Sequence, residues 1–312
     1  MPFYQGKTEF GEWHLGAPQK WTTSITKEAI KGDILMSVRA PVGPVNFATN
    51  HICIGRGLAA IRAKGIVMKE YLFYLLRYKE GEIKGSGGAV FDSITKAQIE
   101  KIQIPLPPLP VQEEIVSEIG SYQKIIDGAK QVVENYKPRI DIDPEWEMVE
   151  LADVIKLSSG SGLTTQNMTK GPFPVYGGNG INGYHDQFLV DEPTIVIGRV
   201  GAYCGSIHIT ESKSWITDNG LFVTNFLKEV NIKYLAQILR QLNFNQYSKV
   251  GGQPSISQKT VTSIQAPIPS KEIQDQIVKK IEQEEQLIIA NKLLIDLFGQ
   301  KIKDRIAKVW GE

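Results

Sequence analysis

Apolar residues fall along two stretches of the chain in the rhythm of a narrow helical seam. Ile115, Ile119, Tyr122, Ile126, Ala129, Val133 and Tyr136 alternate steps of four and three. Ile281, Ile288, Ile295, Ile302 and Val309 recur every seventh residue, with Ile277 and Phe298 on companion positions. This spacing predicts two long helices, over 111–137 and 271–309, that pair as a coiled coil. Two companion positions, Glu284 and Asn291, are polar; a buried polar group there fixes register at a cost in stability. Elsewhere the pattern is short. Asp33–Val38 and Thr194–Ile197 are brief β-type runs bounded by turn residues, and Met68–Arg77 and Ile232–Leu242 carry helical spacing. Proline clusters at 105–110 and 267–269 precede each long helix, where a fixed φ and a missing N–H suit a break.

The chain repeats itself. Ile102-Gln103-Ile104-Pro105-Leu106-Pro107 returns as Ile264-Gln265-Ala266-Pro267-Ile268-Pro269, an offset of 162 (264 less 102), and at that offset Gln112-Glu113-Glu114-Ile115-Val116 returns as Gln274-Asp275-Gln276-Ile277-Val278. Upstream, Ser93-Ile94-Thr95 matches Ser255-Ile256-Ser257, and with small gaps Gly87-Gly88 matches Gly251-Gly252, Tyr71-Leu72 matches Tyr234-Leu235, and Arg39 matches Arg199. Pro2-Phe3-Tyr4-Gln5-Gly6 loosely parallels Pro174-Val175-Tyr176-Gly177-Gly178. A period this long makes each copy domain-sized rather than one turn of a solenoid. The stretch from Trp146 to Phe173 has no counterpart ahead of Pro2, so the first copy reads as truncated at its N-terminus.

Composition adds exclusions. With 35 Lys+Arg against 34 Asp+Glu the net charge is +1, which neither advertises nor excludes nucleic acid, because basic residues can share one face while the sum cancels. The N-terminal stretch has no apolar core of a signal peptide and no apolar run is long enough to span a bilayer, which points to a cytoplasmic protein. Cys53 and Cys204 are too few for a disulfide framework or a four-ligand zinc site, and His14, His51, His185 and His208 lack ligand spacing, so no metal is expected.

Several polar, glycine-rich segments are candidates for contact with a ligand. Gly178-Asn179-Gly180-Ile181-Asn182-Gly183 has the spacing of a dinucleotide fingerprint, but the helix that must follow it is absent from Tyr184-His185-Asp186-Gln187-Phe188. A structural turn, or one whose glycines let the backbone approach a phosphate, is favoured there. Arg39 and Arg199 close equivalent β-type runs; because both copies carry the arginine, bracing the loop or neutralising a phosphate is favoured over reading a base. Lys84-Gly85-Ser86-Gly87-Gly88 and Lys249-Val250-Gly251-Gly252-Gln253 are matched basic loops that could cradle phosphate or simply connect elements. Gln253 and Ser255 are placed to reach base edges, glutamine pairing well with adenine. Asp143, Glu145, Glu147 and Glu150 around Trp146 read as a solvated linker.

The duplicated run from Ile104 through Val116, its second copy at Ala266 to Val278, and Pro144-Glu145-Trp146 followed by Leu151 and Val154 resemble the DNA-specificity subunits of Type I restriction-modification systems. Tyr176-Gly177-Gly178-Asn179-Gly180 and Gly251-Gly252-Gln253-Pro254-Ser255-Ile256 are similar to internal signatures of that family, and the resemblance covers nearly the whole chain. It implies an α+β fold: two target-recognition domains of mixed β structure with short helices, alternating with two long helices that pack as an antiparallel coiled coil. The boundaries read as 1–106 for the first recognition domain, 107–143 for the first spacer helix, 144–266 for the second domain and 267–312 for the second spacer. It further implies double-stranded DNA as ligand, with modification subunits that carry S-adenosylmethionine and methylate adenine N6, restriction subunits that cut, and no cofactor or active site in this chain. The candidate DNA-binding residues are then Gln5, Lys7, Arg39, Lys84, Ser86, Asn179, Asn182, Tyr184, His185, Arg199, Tyr203, Lys249, Gln253 and Ser255. A spacer of about 28 residues would span roughly 42 Å at about 1.5 Å per residue, just over one DNA turn of about 34–36 Å.

Three other readings stay open. No Asn-Pro-Pro-Tyr or Asp-Pro-Pro-Tyr motif of an amino-group methyltransferase occurs, and Glu82-Ile83-Lys84 has the form of a nuclease fragment without its acidic partner, so an enzyme has little support. A coiled-coil scaffold that binds only protein would show no salt-dependent DNA affinity. The chain could also be the separated recognition region of a fused restriction-methylation enzyme.

Overall fold

The structure, a computed structural model, describes residues 1–83, 93–247 and 253–311. The strands in chain order are β1 (Pro2–Tyr4), β2 (Lys20–Trp21), β3 (Glu28–Ala29), β4 (Ile34–Ser37), β5 (Val45–Phe47), β6 (Ile52–Ile54) and β7 (Leu58–Ile61). They are followed by helices α1 (Lys69–Tyr78), α2 (Lys96–Ile99) and α3 (Leu109–Asn135). The second copy runs β8 (Met148–Glu150), β9 (Ile155–Ser159), β10 (Phe173–Gly177), β11 (Gly180–His185), β12 (Ile195–Gly198), β13 (Ile207–Ile209), β14 (Trp215–Ile216) and β15 (Gly220–Phe226). Helices α4 (Ile232–Gln241) and α5 (Gln258–Thr262), strand β16 (Gln265–Pro267) and the 40-residue helix α6 (Lys271–Trp310) complete it. The chain forms two compact units, Met1–Asn135 with Ala290–Glu312, and Tyr136–Ile289.

Unit 1 has a sheet in the order β2-β1-β6-β3 and another in the order β5-β4-β7. The β4 run is buried at every position, as a β-branched and apolar stretch between two strands should be. Against it packs α1, whose Tyr71, Phe73 and Leu75 are fully buried beside Phe47, Ile115 and Ile119. Unit 2 repeats the plan in the sheets β11-β10-β14 and β13-β12-β15-β9, with β16-β8 added. Its core gathers Ile195, Ile197, Leu221, Tyr234, Leu235 and Leu239.

The repeat is one of strand register, and the motifs found in sequence acquire physical roles. Phe3 lies opposite Cys53 and Tyr4 opposite Ile54 in parallel; Val175 and Tyr176 stand in the same relation to Trp215 and Ile216. In Ser93-Ile94-Thr95 and Ser255-Ile256-Ser257 the isoleucine is buried. The third residue caps a short helix, Thr95 accepting from the Gln98 N–H and Ser257 from the Thr260 N–H. The glutamine after each proline cluster is wholly buried. Gln112 accepts from the Met68 N–H and donates to the Ile66 and Pro107 carbonyls; Gln274 accepts from the Asn231 N–H and donates to the Pro269 carbonyl. Tyr71 and Tyr234 donate to the Pro105 and Pro267 carbonyls. Burial pushes the Tyr71 phenol up to about 12 and raises Tyr234 as well. Each proline-rich turn is thus tied to its module by a buried polar clasp.

Register also corrects one sequence equivalence. The Ile94 N–H donates to the Val38 carbonyl, whereas the Ile256 N–H donates to the Arg199 carbonyl. Val38 therefore corresponds to Arg199, and Arg39 to Val200, which bridge Ser93 and Ser255 respectively. Successive side chains on extended backbone point to opposite faces, so the two arginines are not interchangeable: Arg39 is exposed and Arg199 half-buried.

The long helices form as the seam spacing requires. Ile115, Ile119, Ile126 and Ala129 are buried, and Ile295, Ile302 and Val309 are half-buried along the matching stripe. Within unit 1 the pairing is antiparallel: Arg305 bonds Glu118 at 2.6 Å and reaches Glu114, while Tyr122 lies 5.3 Å from Phe298. The Arg305 hydrogen bond, aided by that of Tyr122, holds the Glu118 carboxyl below its ordinary range. Helix α3 ends at Asn135, one residue short of the predicted seam; Tyr136 just beyond it is hydrogen-bonded to Glu284, which gives that polar seam position a partner inside unit 2.

Candidate nucleic-acid interface

In unit 2 three connections converge at one end of the sheet. The loop after β12 turns through Gly201 and Gly205, both at positive φ (77° and 84°), a conformation that suits glycine. The Gly201 N–H donates to the Pro254 carbonyl at 2.9 Å, Val200 bridges Ser255, and the side-chain amide of Gln253 lies against Gly201. The β10–β11 turn closes the group, with Gly178 packed near Gly198 and the Tyr203 side chain. Ser206 and His208 both hold the Gly178 carbonyl. Burial lowers the His208 pKa, partly offset by that carbonyl, so a neutral imidazole supports the turn. Cys204 is buried beneath the loop, donates weakly to the Arg199 carbonyl, and has its thiol pKa raised by burial.

The outcome is a ridge on which Asn179, Tyr203 and Gln253 are exposed and Arg199 and Ser255 half-buried. Tyr203, 52% exposed, offers a flat apolar face, and the amides and guanidinium offer donors and acceptors. Such a set can hydrogen-bond base edges or phosphates. Arg199 lies 3.5 Å from the Ser159 hydroxyl, as does Gln258, so Ser159 and Gln258 join the ridge. Sequence comparison between the copies misses Ser159, because no described strand of the first copy corresponds to β9.

The remaining candidates lie elsewhere. The dinucleotide-like segment is the turn of a β-hairpin, with Gly177 opposite Gly180. Asn182 and Tyr184 are exposed along β11, Tyr184 at its far end opposite Pro174. His185 is corrected: it is 7% exposed, its Nδ1 meets the Thr169 amide and hydroxyl, and its ring stands edge-on to Trp215, so it faces inward. In unit 1 Gln5 rests against Gly55 and Gly57, Lys7 is exposed on the following turn, and Arg39 is exposed at the end of β4. The Val38 N–H donates to the Gly57 carbonyl, which draws the Gln5 and Arg39 segments to one end of the module. Lys84, Ser86 and Lys249 lie outside the described residues. One exposed aromatic was missed: Trp21, opposite Pro2, occupies the place that Tyr184 takes opposite Pro174.

The model of the Type I restriction modification DNA specificity domain matches this chain twice, over residues 17–135 and 144–296. A putative type I restriction enzyme MjaX specificity subunit of Methanocaldococcus jannaschii is 43% identical over 145 residues, 45% of this chain and 34% of the relative. The type I restriction enzyme EcoprrI specificity subunit of Escherichia coli is 23% identical over 234 residues, 66% of this chain and 58% of the relative, so the chain spans about a third and under two thirds of these relatives. In fold it is similar to the Type I restriction-modification S subunit from M. genitalium (TM-score 0.58, 17% identity, 99% of this chain and 88% of that one). It is also similar to the HsdS subunit from Thermoanaerobacter tengcongensis (TM-score 0.52, 18% identity, 98% and 89%). The duplicated ladder, the paired helices and the two matches together place the chain in the family of Type I restriction-modification DNA specificity proteins.

Proposed function

We propose that this chain is the DNA-reading subunit of a Type I restriction-modification assembly, each module reading one half of a split site, with no chemistry of its own. The observation that carries this reading is one strand ladder built twice, with different side chains after equivalent strands: Gln5 and Lys7 after β1 against Asn179 after β10, and Arg39 after β4 against Arg199 and Tyr203 after β12. A common frame with unlike tips is what two different half-sites require. Helices α3 and α6 act as the ruler between half-sites; α3, with 27 residues, is about 40 Å long at about 1.5 Å per residue. The helices also serve modification subunits, which bring S-adenosylmethionine, and restriction subunits join the same assembly in the cytoplasm. Exposed Ile125, Val132, Leu293 and Leu297 provide apolar surface for that docking.

The test is co-expression with the cognate modification subunit in a methylation-free host, followed by genome-wide mapping of N6-methyladenine. An asymmetric bipartite motif is expected. A palindromic or single-half motif would restrict reading to the module from Trp146 onward, and absence of methylation would overturn the reading.

A further inference from the structure

One turn is built alike in the two modules and carries opposite charges at its tip. It follows β6 in unit 1 as Gly55-Arg56-Gly57 and β14 in unit 2 as Thr217-Asp218-Asn219. The strand registers fix the equivalence: Tyr4 lies opposite Ile54 as Tyr176 lies opposite Ile216, and Ser37 lies opposite Leu58 as Gly198 lies opposite Gly220. Between those anchors the two segments have the same length, so Arg56 stands where Asp218 does. The same backbone hydrogen bonds hold both turns. The Gly55 and Thr217 N–H groups donate to the Tyr4 and Tyr176 carbonyls, the Val38 and Arg199 N–H groups to the Gly57 and Asn219 carbonyls, and the Leu58 and Gly220 N–H groups to the Gly55 and Thr217 carbonyls. Both tip side chains are exposed.

In each module the turn adjoins candidate contact residues. Gln5 rests against Gly55 and Gly57 in unit 1; in unit 2 the Asn219 carbonyl takes the Arg199 N–H and lies near Gly178. A side chain that served the frame has no reason to reverse its charge while the frame stays the same. One that neutralised phosphate would be basic in both copies, because the duplex backbone repels a carboxylate. Opposite charges on one turn are what different bases require. Resting on the DNA-reading function above, we propose that Arg56 and Asp218 are the matching base-reading positions of the two modules, Arg56 selecting guanine and Asp218 selecting cytosine. In the major groove guanine presents two acceptors, N7 and O6, which suit the paired donors of a guanidinium. Cytosine presents only its N4 amino donor there, which suits a carboxylate; adenine sets an N7 acceptor beside its amino group, and thymine offers an acceptor, so both repel one.

The test compares the full chain with its Arg56→Gln, Asp218→Asn and Asp218→Arg variants, each co-expressed with the cognate modification subunit in a methylation-free host and mapped for N6-methyladenine. The parent motif is expected to hold a fixed G·C pair in each half. Arg56→Gln should relax that pair or shift it toward A·T in one half only, and Asp218→Asn in the other half only, since both amides pair well with adenine. Asp218→Arg should reverse the pair, placing guanine where cytosine was read. On duplexes altered at that pair alone, the parent is expected to discriminate about tenfold or more and the amide variants about twofold or less. Thermal unfolding of the purified variants should match the parent, which separates lost reading from lost folding. Motifs identical to the parent's would overturn the proposal. So would a parent half-site without a fixed G·C pair, or a loss of affinity equal for all sequences, the mark of a phosphate contact. A parent that directs no methylation would overturn the DNA-reading function and this assignment together; a parent motif unmoved by the substitutions overturns the assignment alone.

Discussion

Single residues carry both the stability of the modules and the chemistry of their tips. Gln112 and Gln274 are buried with their amides satisfied by backbone, so replacing either by leucine strands an N–H and one or two carbonyls. Each substitution is expected to cost about 1–3 kcal/mol, read by denaturant unfolding, with faster amide exchange at Met68 for one and at Asn231 for the other. Asp33 is nearly buried; burial alone would raise its carboxyl, but the Arg62 hydrogen bonds and charge, with the Ile30 N–H, hold it below 3.8. A depressed carboxyl stabilises the fold above its unfolded value and loses that contribution as pH falls through the native value. Arg62→Met should therefore lower the melting temperature at neutral pH, the gap to the parent closing below about pH 4. His208 works the same way around a higher midpoint: burial lowers it from 6.5, so its contribution holds above that value and fades as pH drops through the native one. His208→Gln should flatten the decline in unit 2 stability between pH 7 and 5. Little of this was legible beforehand. The candidates Arg199, Tyr203, Gln253 and Ser255 do meet, but the inward turn of His185 depends on the irregular register between Val175 and Tyr176, which no composition reveals.

Elements were far more legible than contacts. The seam spacing, the two short helices and the β-type runs at Asp33–Val38 and Thr194–Ile197 all appear with ends within a few residues, because burial imposes its period directly on the sequence. Strand pairing was not legible, since it joins residues distant in the chain and leaves only local alternation; hence the one-residue slip between Arg39 and Arg199. The helix pair offers a graded test. Ile126 is 6% exposed in the seam and Val132 39% exposed outside it. Ile126→Ala should cost about 2–5 kcal/mol, and Val132→Ala within about 0.5 kcal/mol, both by thermal unfolding.

At the scale of the whole molecule, each unit owns a separate apolar core, one around Tyr71 and Phe73 and the other around Tyr234 and Leu235. Phe73→Ala should cost unit 1 about 3–5 kcal/mol, while amide protection in β12 and β15 stays unchanged; coincident loss in both units would show that they unfold as one. Inserting one helical turn in α3 is expected to shift the gap between methylated half-sites by one or two base pairs with the half-sites preserved. The shared ladder has a consequence for change over generations. The connection between β1 and β2 spans residues 5–19, whereas β10 and β11 are joined by a tight turn, yet the flanking strands keep one register. Doubling a flexible loop costs only about 0.6 kcal/mol. Insertions and deletions at these tips are therefore changes the frame tolerates, and loop length there can vary before a single strand is altered.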